Sequence, residues 1–60
     1  MIGLILATCI AAHDCKFEIV EMKNEWMTLE QCTDDVPQTL TDLGIELRYN
    51  QSAYCDEVTQ

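Results

Sequence analysis

The sequence predicts a small α+β domain, with an antiparallel sheet and one helix in the order strand, strand, helix, strand. Two apolar segments at the start of the chain are separated by a short polar turn. A helix-capping sequence then precedes apolar residues at spacings of three and four. Four cysteines spread over these segments can staple residues 1–60 into one domain, which matters because a chain this short buries only roughly 60% of its unfolded surface.

The first strand is predicted over Ile2–Ala11 and is apolar on both faces. Leu4 and Leu6 share one face, and Ile5 and Ala7 share the other. A strand covered on one side only would alternate apolar with polar residues, so we expect cover on both sides. A signal peptide or lipoprotein leader is a less favoured alternative, because no basic residue precedes the apolar run.

The second strand is predicted over Cys15–Lys23, after a turn at Ala12–Asp14. Phe17 and Ile19 share one face of this strand, while Val20 and Met22 share the other. The connection is short, which favours an antiparallel hairpin.

The helix is predicted to begin at a capping box, with Thr28 as the N-cap and Gln31 reaching back to its amide. An apolar stripe follows at helical spacing, formed by Leu29, Cys32, Val36, Leu40 and Leu43. Gly44 is well placed as a left-handed C-terminal cap.

Pro37 interrupts this helix, since proline lacks the amide hydrogen and clashes with the preceding turn. We expect either a kink near Val36 or a fresh helix start capped by Asp34 or Asp35.

A third strand is predicted over Ile45–Tyr49, where apolar and polar residues alternate with the apolar side inward. Asn50–Ser52 can bulge or turn, Ala53–Cys55 can continue the strand, and Asp56–Gln60 is interpreted as a tail.

The cysteines Cys9, Cys15, Cys32 and Cys55 are predicted to form two disulfides. Of the three possible connectivities we favour Cys9 with Cys32 and Cys15 with Cys55, because a Cys9–Cys15 bridge would close a short loop and constrain little. The absence of a C-x-x-C pair disfavours a zinc site and a redox dithiol. Free thiols in a reducing cytosol remain an alternative.

We expect no enzyme, no cofactor and no metal site. His13, Asp14 and Cys15 are adjacent in sequence, and adjacent residues rarely converge on one reaction centre. The carboxylate pairs at 34–35 and 56–57 lack the alternate spacing of a calcium loop.

The charge is strongly acidic, with 11 carboxylates against three basic residues and a net charge of −8. Such a polyanion is repelled by phosphate backbones and anionic lipids, so we expect neither nucleic acid nor membrane as a partner. We expect a protein partner or a homo-oligomer instead. The predicted contact residues are Ile2, Leu4, Ile5, Leu6, Trp26, Tyr49 and Tyr54. The three aromatic residues could equally belong to the core.

The arrangement resembles small uncharacterised four-cysteine proteins of tailed bacteriophages and prophages. The segments that carry the resemblance are LILATCI, HDCKFEIV, TLEQC and AYC. It implies a viral origin and supplies no site residues.

Together these observations predict a non-enzymatic interaction protein, namely a minor virion component that decorates or cements larger capsid or tail subunits. The alternative is an acidic phage inhibitor that binds a host protein in the host cytoplasm.

Overall fold

The computed structural model describes residues 1–59, which form a three-stranded sheet and one helix. The elements are β1 (Ile2–Ala11), β2 (Asp14–Met22), α1 (Leu29–Leu43) and β3 (Gln51–Glu57). The sheet order is β2-β1-β3 and both strand pairs are antiparallel. The helix packs on β1 and β3. The predicted α+β class and element order are therefore confirmed.

The β1–β2 hairpin contains a bulge that changes which residues of β2 share a face with β1. Leu4 lies opposite Glu21, but the next residue, Ile5, lies opposite Ile19, so Val20 is an extra residue on β2. As a result Met22 is aligned with Gly3.

Local capping signals define both ends of α1, as predicted. At the start, the Gln31 amide donates to Thr28 Oγ1 at 3.2 Å, and the Thr28 amide donates to Gln31 Oε1 at 3.1 Å. At the end, Gly44 has φ 70° and its amide donates to the carbonyls of Leu40 and Thr41. Only glycine adopts this backbone conformation without steric cost.

The helix is continuous through Pro37, so the alternative of a fresh start capped by Asp34 or Asp35 is wrong. Buried or partly buried side chains lie on both sides of the proline, with Cys32 before it and Leu40 after it. Because both half-helices bury side chains against the sheet, packing compensates for the hydrogen bond that Pro37 cannot donate. A kink near Val36 stays a prediction.

The core lies between α1 and the sheet and consists of Ile2, Leu4, Trp26 and Cys32. Partly buried residues pack around it, namely Val20, Val36, Leu40, Ala53 and Cys55. The predicted helix stripe is correct at its centre, but Leu29 and Leu43 are 48% and 41% exposed at its ends. Thr39, which the apolar pattern omitted, is buried in their place.

The disulfides join Cys9 to Cys15 and Cys32 to Cys55, so the predicted connectivity is wrong. Cys55 lies opposite Leu4 on the face that α1 covers, within reach of Cys32. Cys9 has the opposite parity and points away from the helix, where its cross-strand neighbour is Cys15. The strand β1 separates Cys15 from β3, which excludes the predicted bridge to Cys55.

The predicted third strand at Ile45–Tyr49 is a loop, and the strand lies later, at Gln51–Glu57. With Gln51 opposite Thr8, a further extension would place Leu47 and Ile45 beyond the end of β1, where no partner strand remains. The chain turns there, with the Gln51 amide donating to the Arg48 carbonyl at 3.0 Å.

The predicted tail begins too early, since Asp56 and Glu57 belong to β3. The Val58 amide extends the pairing by donating to the Met1 carbonyl. Gln60, the last residue of that predicted tail, lies outside the described residues.

We expect the two bridges to contribute unequally to stability. The Cys32–Cys55 bridge spans 23 residues and the Cys9–Cys15 bridge spans six. Loop-closure entropy then predicts a loss of about 3 kcal/mol for Cys32→Ala/Cys55→Ala and about 2 kcal/mol for Cys9→Ala/Cys15→Ala. Urea unfolding of the two double variants measures the difference. A larger loss for the hairpin bridge would contradict it.

Tryptic digestion of the wild-type chain without reductant provides the control for connectivity. Cleavage after Lys16, Lys23 and Arg48 leaves Cys9 and Cys15 in one peptide. The structure predicts that this peptide is recovered by itself, whereas peptides 24–48 and 49–60 remain joined by the Cys32–Cys55 disulfide. The alternative connectivity would link all three.

Candidate interaction surface

One face of the sheet is covered by α1, and within residues 1–59 no helix or strand packs on the other, which we call the open face. Residues directly opposite each other on neighbouring strands point to the same side, so the register identifies its members. Ile5 lies between Ile19 and Tyr54, and Ala7 lies between Phe17 and Ser52. Gly3, Met22, Asp56 and the Cys9–Cys15 disulfide extend the same face.

The open face exposes large apolar side chains. Phe17 is 65% exposed, Ile19 47% and Tyr54 39%. The intervening residues of β2, Lys16 and Glu18, point to the helix side, where α1 does not reach β2. Over residues 16–19, β2 is therefore amphipathic with its apolar side away from the core. This is unusual where no other part of the protein covers that apolar side.

The bulge at Val20 increases the apolar character of this face. Without it, Glu21 would lie opposite Gly3; with it, Met22 takes that position. Met22 and Val58 also pack so closely over Gly3 that an added Cβ would lie 2.8 Å from Val58 Cγ2. The aliphatic side chains of Met22 and Val58 therefore form this end of the open face.

Carboxylates are scarce on the open face. The register places only Asp56 there among the carboxylates of β2 and β3 that lie opposite residues 2–9 of β1. Asp14 lies at the hairpin turn, opposite Ala11. The face therefore has the charge-depleted centre that is typical of protein–protein contacts.

The predicted contact residues are divided between the core and the surface. Ile2, Leu4 and Trp26 are at most 9% exposed and belong to the core, which for Trp26 is the alternative position that the sequence left open. Leu6 lies on the helix side, opposite Ala53. Tyr49 is fully exposed, in the loop before β3.

Ile5 and Tyr54 do lie on the open face, beside three residues that the prediction omitted: Phe17, Ile19 and Met22. The signal for two of them was present in the sequence, because Phe17 and Ile19 alternate with charged residues in β2.

A polar cluster links the segment between β2 and α1 to the helix, at the edge of the core. Asp35 Oδ2 accepts hydrogen bonds from Trp26 Nε1 at 3.2 Å and from Lys23 Nζ at 3.3 Å. Lys23 Nζ also lies 5.2 Å from the centre of the Trp26 ring. These donors, the Trp26 indole first and then the Lys23 ammonium, lower the pKa of the Asp35 carboxyl below its ordinary value.

The sequence candidates for metal binding and thiol chemistry can be placed in the part of the chain that the structure describes. Within residues 1–59, no group of three or more His, Cys, Asp or Glu side chains is placed to hold a metal ion. Cys15, beside His13 and Asp14, is consumed in a disulfide. The hollow lined by Glu46, Leu47, Arg48 and Tyr49 is open to solvent. None of the helices in this part of the chain is long and apolar enough to cross a membrane.

Comparison with protein-family models, with curated proteins and with solved structures gives no match for this chain. The resemblance to bacteriophage proteins therefore stays a prediction.

We expect Asp35 to make stability depend on acid pH. Its pKa is lower in the folded than in the unfolded chain, so its ionised form stabilises the fold above the ordinary value of 3.8, and this contribution is lost as the pH falls through the lowered pKa. At neutral pH, Asp35→Asn should unfold at lower urea than the wild type. The two midpoints should converge below pH 3.8.

The comparison between the two proteins isolates Asp35, because it is the one carboxyl group in which they differ. A constant difference between the midpoints across this pH range would contradict the prediction.

Proposed function

We propose that this chain is a non-enzymatic protein–protein interaction module and that the open face is its contact surface. The observation that carries the proposal is the exposure of Phe17, Ile19 and Tyr54 on one uncovered, charge-depleted sheet face. Monomeric soluble proteins scatter such side chains singly, whereas a contiguous apolar patch marks a binding site. Aromatic residues and a charge-poor centre are also what protein contacts favour.

The setting that we propose is the virion of a tailed bacteriophage, where the chain would decorate or cement larger capsid or tail subunits. This part of the proposal is supported by the resemblance of the four-cysteine pattern. The two disulfides support a role outside the cytosol, because such bridges persist in oxidising surroundings and are rare in the reducing cytosol.

The second candidate is an acidic inhibitor that covers a basic site on a host protein. The exposed side of α1 favours it, because Glu30, Asp34 and Asp42 are exposed there. Among residues 1–59 the one ion pair joins Lys23 to Asp35, so these three carboxylates are not neutralised by a basic side chain.

Substitutions on the open face should remove the chain from virions. Ile19→Lys introduces a charge into the proposed contact, whereas Leu29→Lys makes the same change on α1 at nearly equal exposure, 47% against 48%. Mass spectrometry of purified particles should detect the wild type and Leu29→Lys, and should find Ile19→Lys reduced by at least about tenfold. Absence of the wild type from particles would contradict the virion setting.

The inhibitor predicts a different pattern. Its binding would depend on the acidic helix, so Glu30→Lys would weaken it and added salt would weaken it further. Neither change should weaken a contact through the open face.

A further inference from the structure

We propose that the molecule that covers the open face is a second copy of this chain, packed face to face about a twofold axis. The inference rests on the proposed function, because it identifies the partner of the same surface, and the dimer formed through that surface is then the species that would bind virion subunits. The resulting dimer would be a sandwich of two three-stranded sheets with one helix on each outer side.

The exposed area of the single chain supports a missing partner. The chain exposes 4477 Å². A compact monomer of its mass, 6.9 kDa, is expected to expose only about 4,000 Å². The excess of roughly 500 Å² per chain, or roughly 1,000 Å² for two, lies near the lower limit for a specific interface. This area predicts a weak dimer that forms and dissociates with concentration.

The side chains of the open face suit the packing of two sheets. Stacked sheets lie about 10 Å apart and fill the space between them with interdigitating side chains. On the central strand, the small residue Ala7 lies beside Phe17, and Ile5 lies between Ile19 and Tyr54. Large side chains beside a small one make this surface uneven, with projections and hollows that a twofold-related copy can fill.

Charge favours this orientation over other contacts between two copies. Each copy carries a net charge of −8, so any contact that brings the acidic helices together is repulsive. Face-to-face packing places both helices outside. With each packed layer roughly 10 Å thick, the helices are separated by roughly 30 Å, well beyond the screening length of about 8 Å at physiological salt.

Sedimentation equilibrium of the oxidised full chain tests the proposal. Between about 1 μM and 1 mM, the mass of the wild type should rise from 6.9 kDa toward twice that value. Ile19→Lys should raise the dissociation constant at least about tenfold, while Leu29→Lys leaves it within about twofold. Both variants change the net charge equally, so general repulsion cannot explain a difference between them.

Three results would overturn the proposal: a wild type that stays monomeric throughout, a dimer that Ile19→Lys leaves intact, or a dimer that Leu29→Lys weakens as strongly. Circular dichroism of both variants verifies that they are folded. Should Ile19→Lys fail to fold, Phe17→Ser takes its place, because Phe17 is 65% exposed and contributes little to the monomer core.

Failure of the dimer and failure of the proposed function are distinguishable. A monomeric chain whose presence in particles still requires Ile19 would overturn the dimer and keep the interaction module, with another protein on the open face. A dimer that is sensitive to Ile19→Lys but absent from particles would keep the dimer and overturn the virion setting.

Discussion

The bridge between Cys32 and Cys55 is the constraint on which the rest of this small structure depends. Cys32 is completely buried, and Cys55 lies opposite Leu4, the most buried residue of the central strand. The bridge therefore fastens the helix over the middle of the β1–β3 pair. The helix packs on β1 and β3 but not on β2, and no helix or strand of residues 1–59 packs on the opposite face. The position of one covalent bond thus determines both the core and the candidate surface.

Signals that act within a few residues could be predicted from the sequence. The Thr28–Gln31 capping box and the Gly44 cap each depend on local geometry, and both are confirmed. The disulfide connectivity and the third strand depend on which face and which register the chain adopts. A periodic pattern states that Cys9 and Leu4 lie on opposite faces, but it does not state which face the helix will cover. The loop at 45–50 has an alternating sequence, yet in the register of β3 residues 45–47 would lie beyond Ala11, the last residue of β1.

The residues of the candidate surface could likewise be predicted only in part from the sequence pattern. The two-sided apolar character of β1 predicted cover on both faces, and within residues 1–59 the helix covers one of them. It could not assign Ile2 and Leu4 to the core and Ile5 to the surface, because their side chains are chemically equivalent. Strict alternation of apolar and polar residues also could not predict the bulge at Val20. Because of this bulge, Met22 and not Glu21 lies on the open face. The best sequence signal for the open face lies in β2, on which the helix does not pack. There the apolar residues Phe17 and Ile19 alternate with charged residues.

The acidic charge and the apolar face are physically compatible because they occupy opposite sides of the chain. A patch that carries Phe17, Ile19 and Tyr54 promotes nonspecific association, whereas a net charge of −8 opposes it through long-range repulsion. An encounter in which two copies meet by their helices is repelled, while an encounter through the open face brings charge-depleted surfaces together first. The distribution of carboxylates thus selects among orientations without adding contact energy. In a domain too small to bury a second apolar face, this separation would allow the proposed contact surface to remain specific.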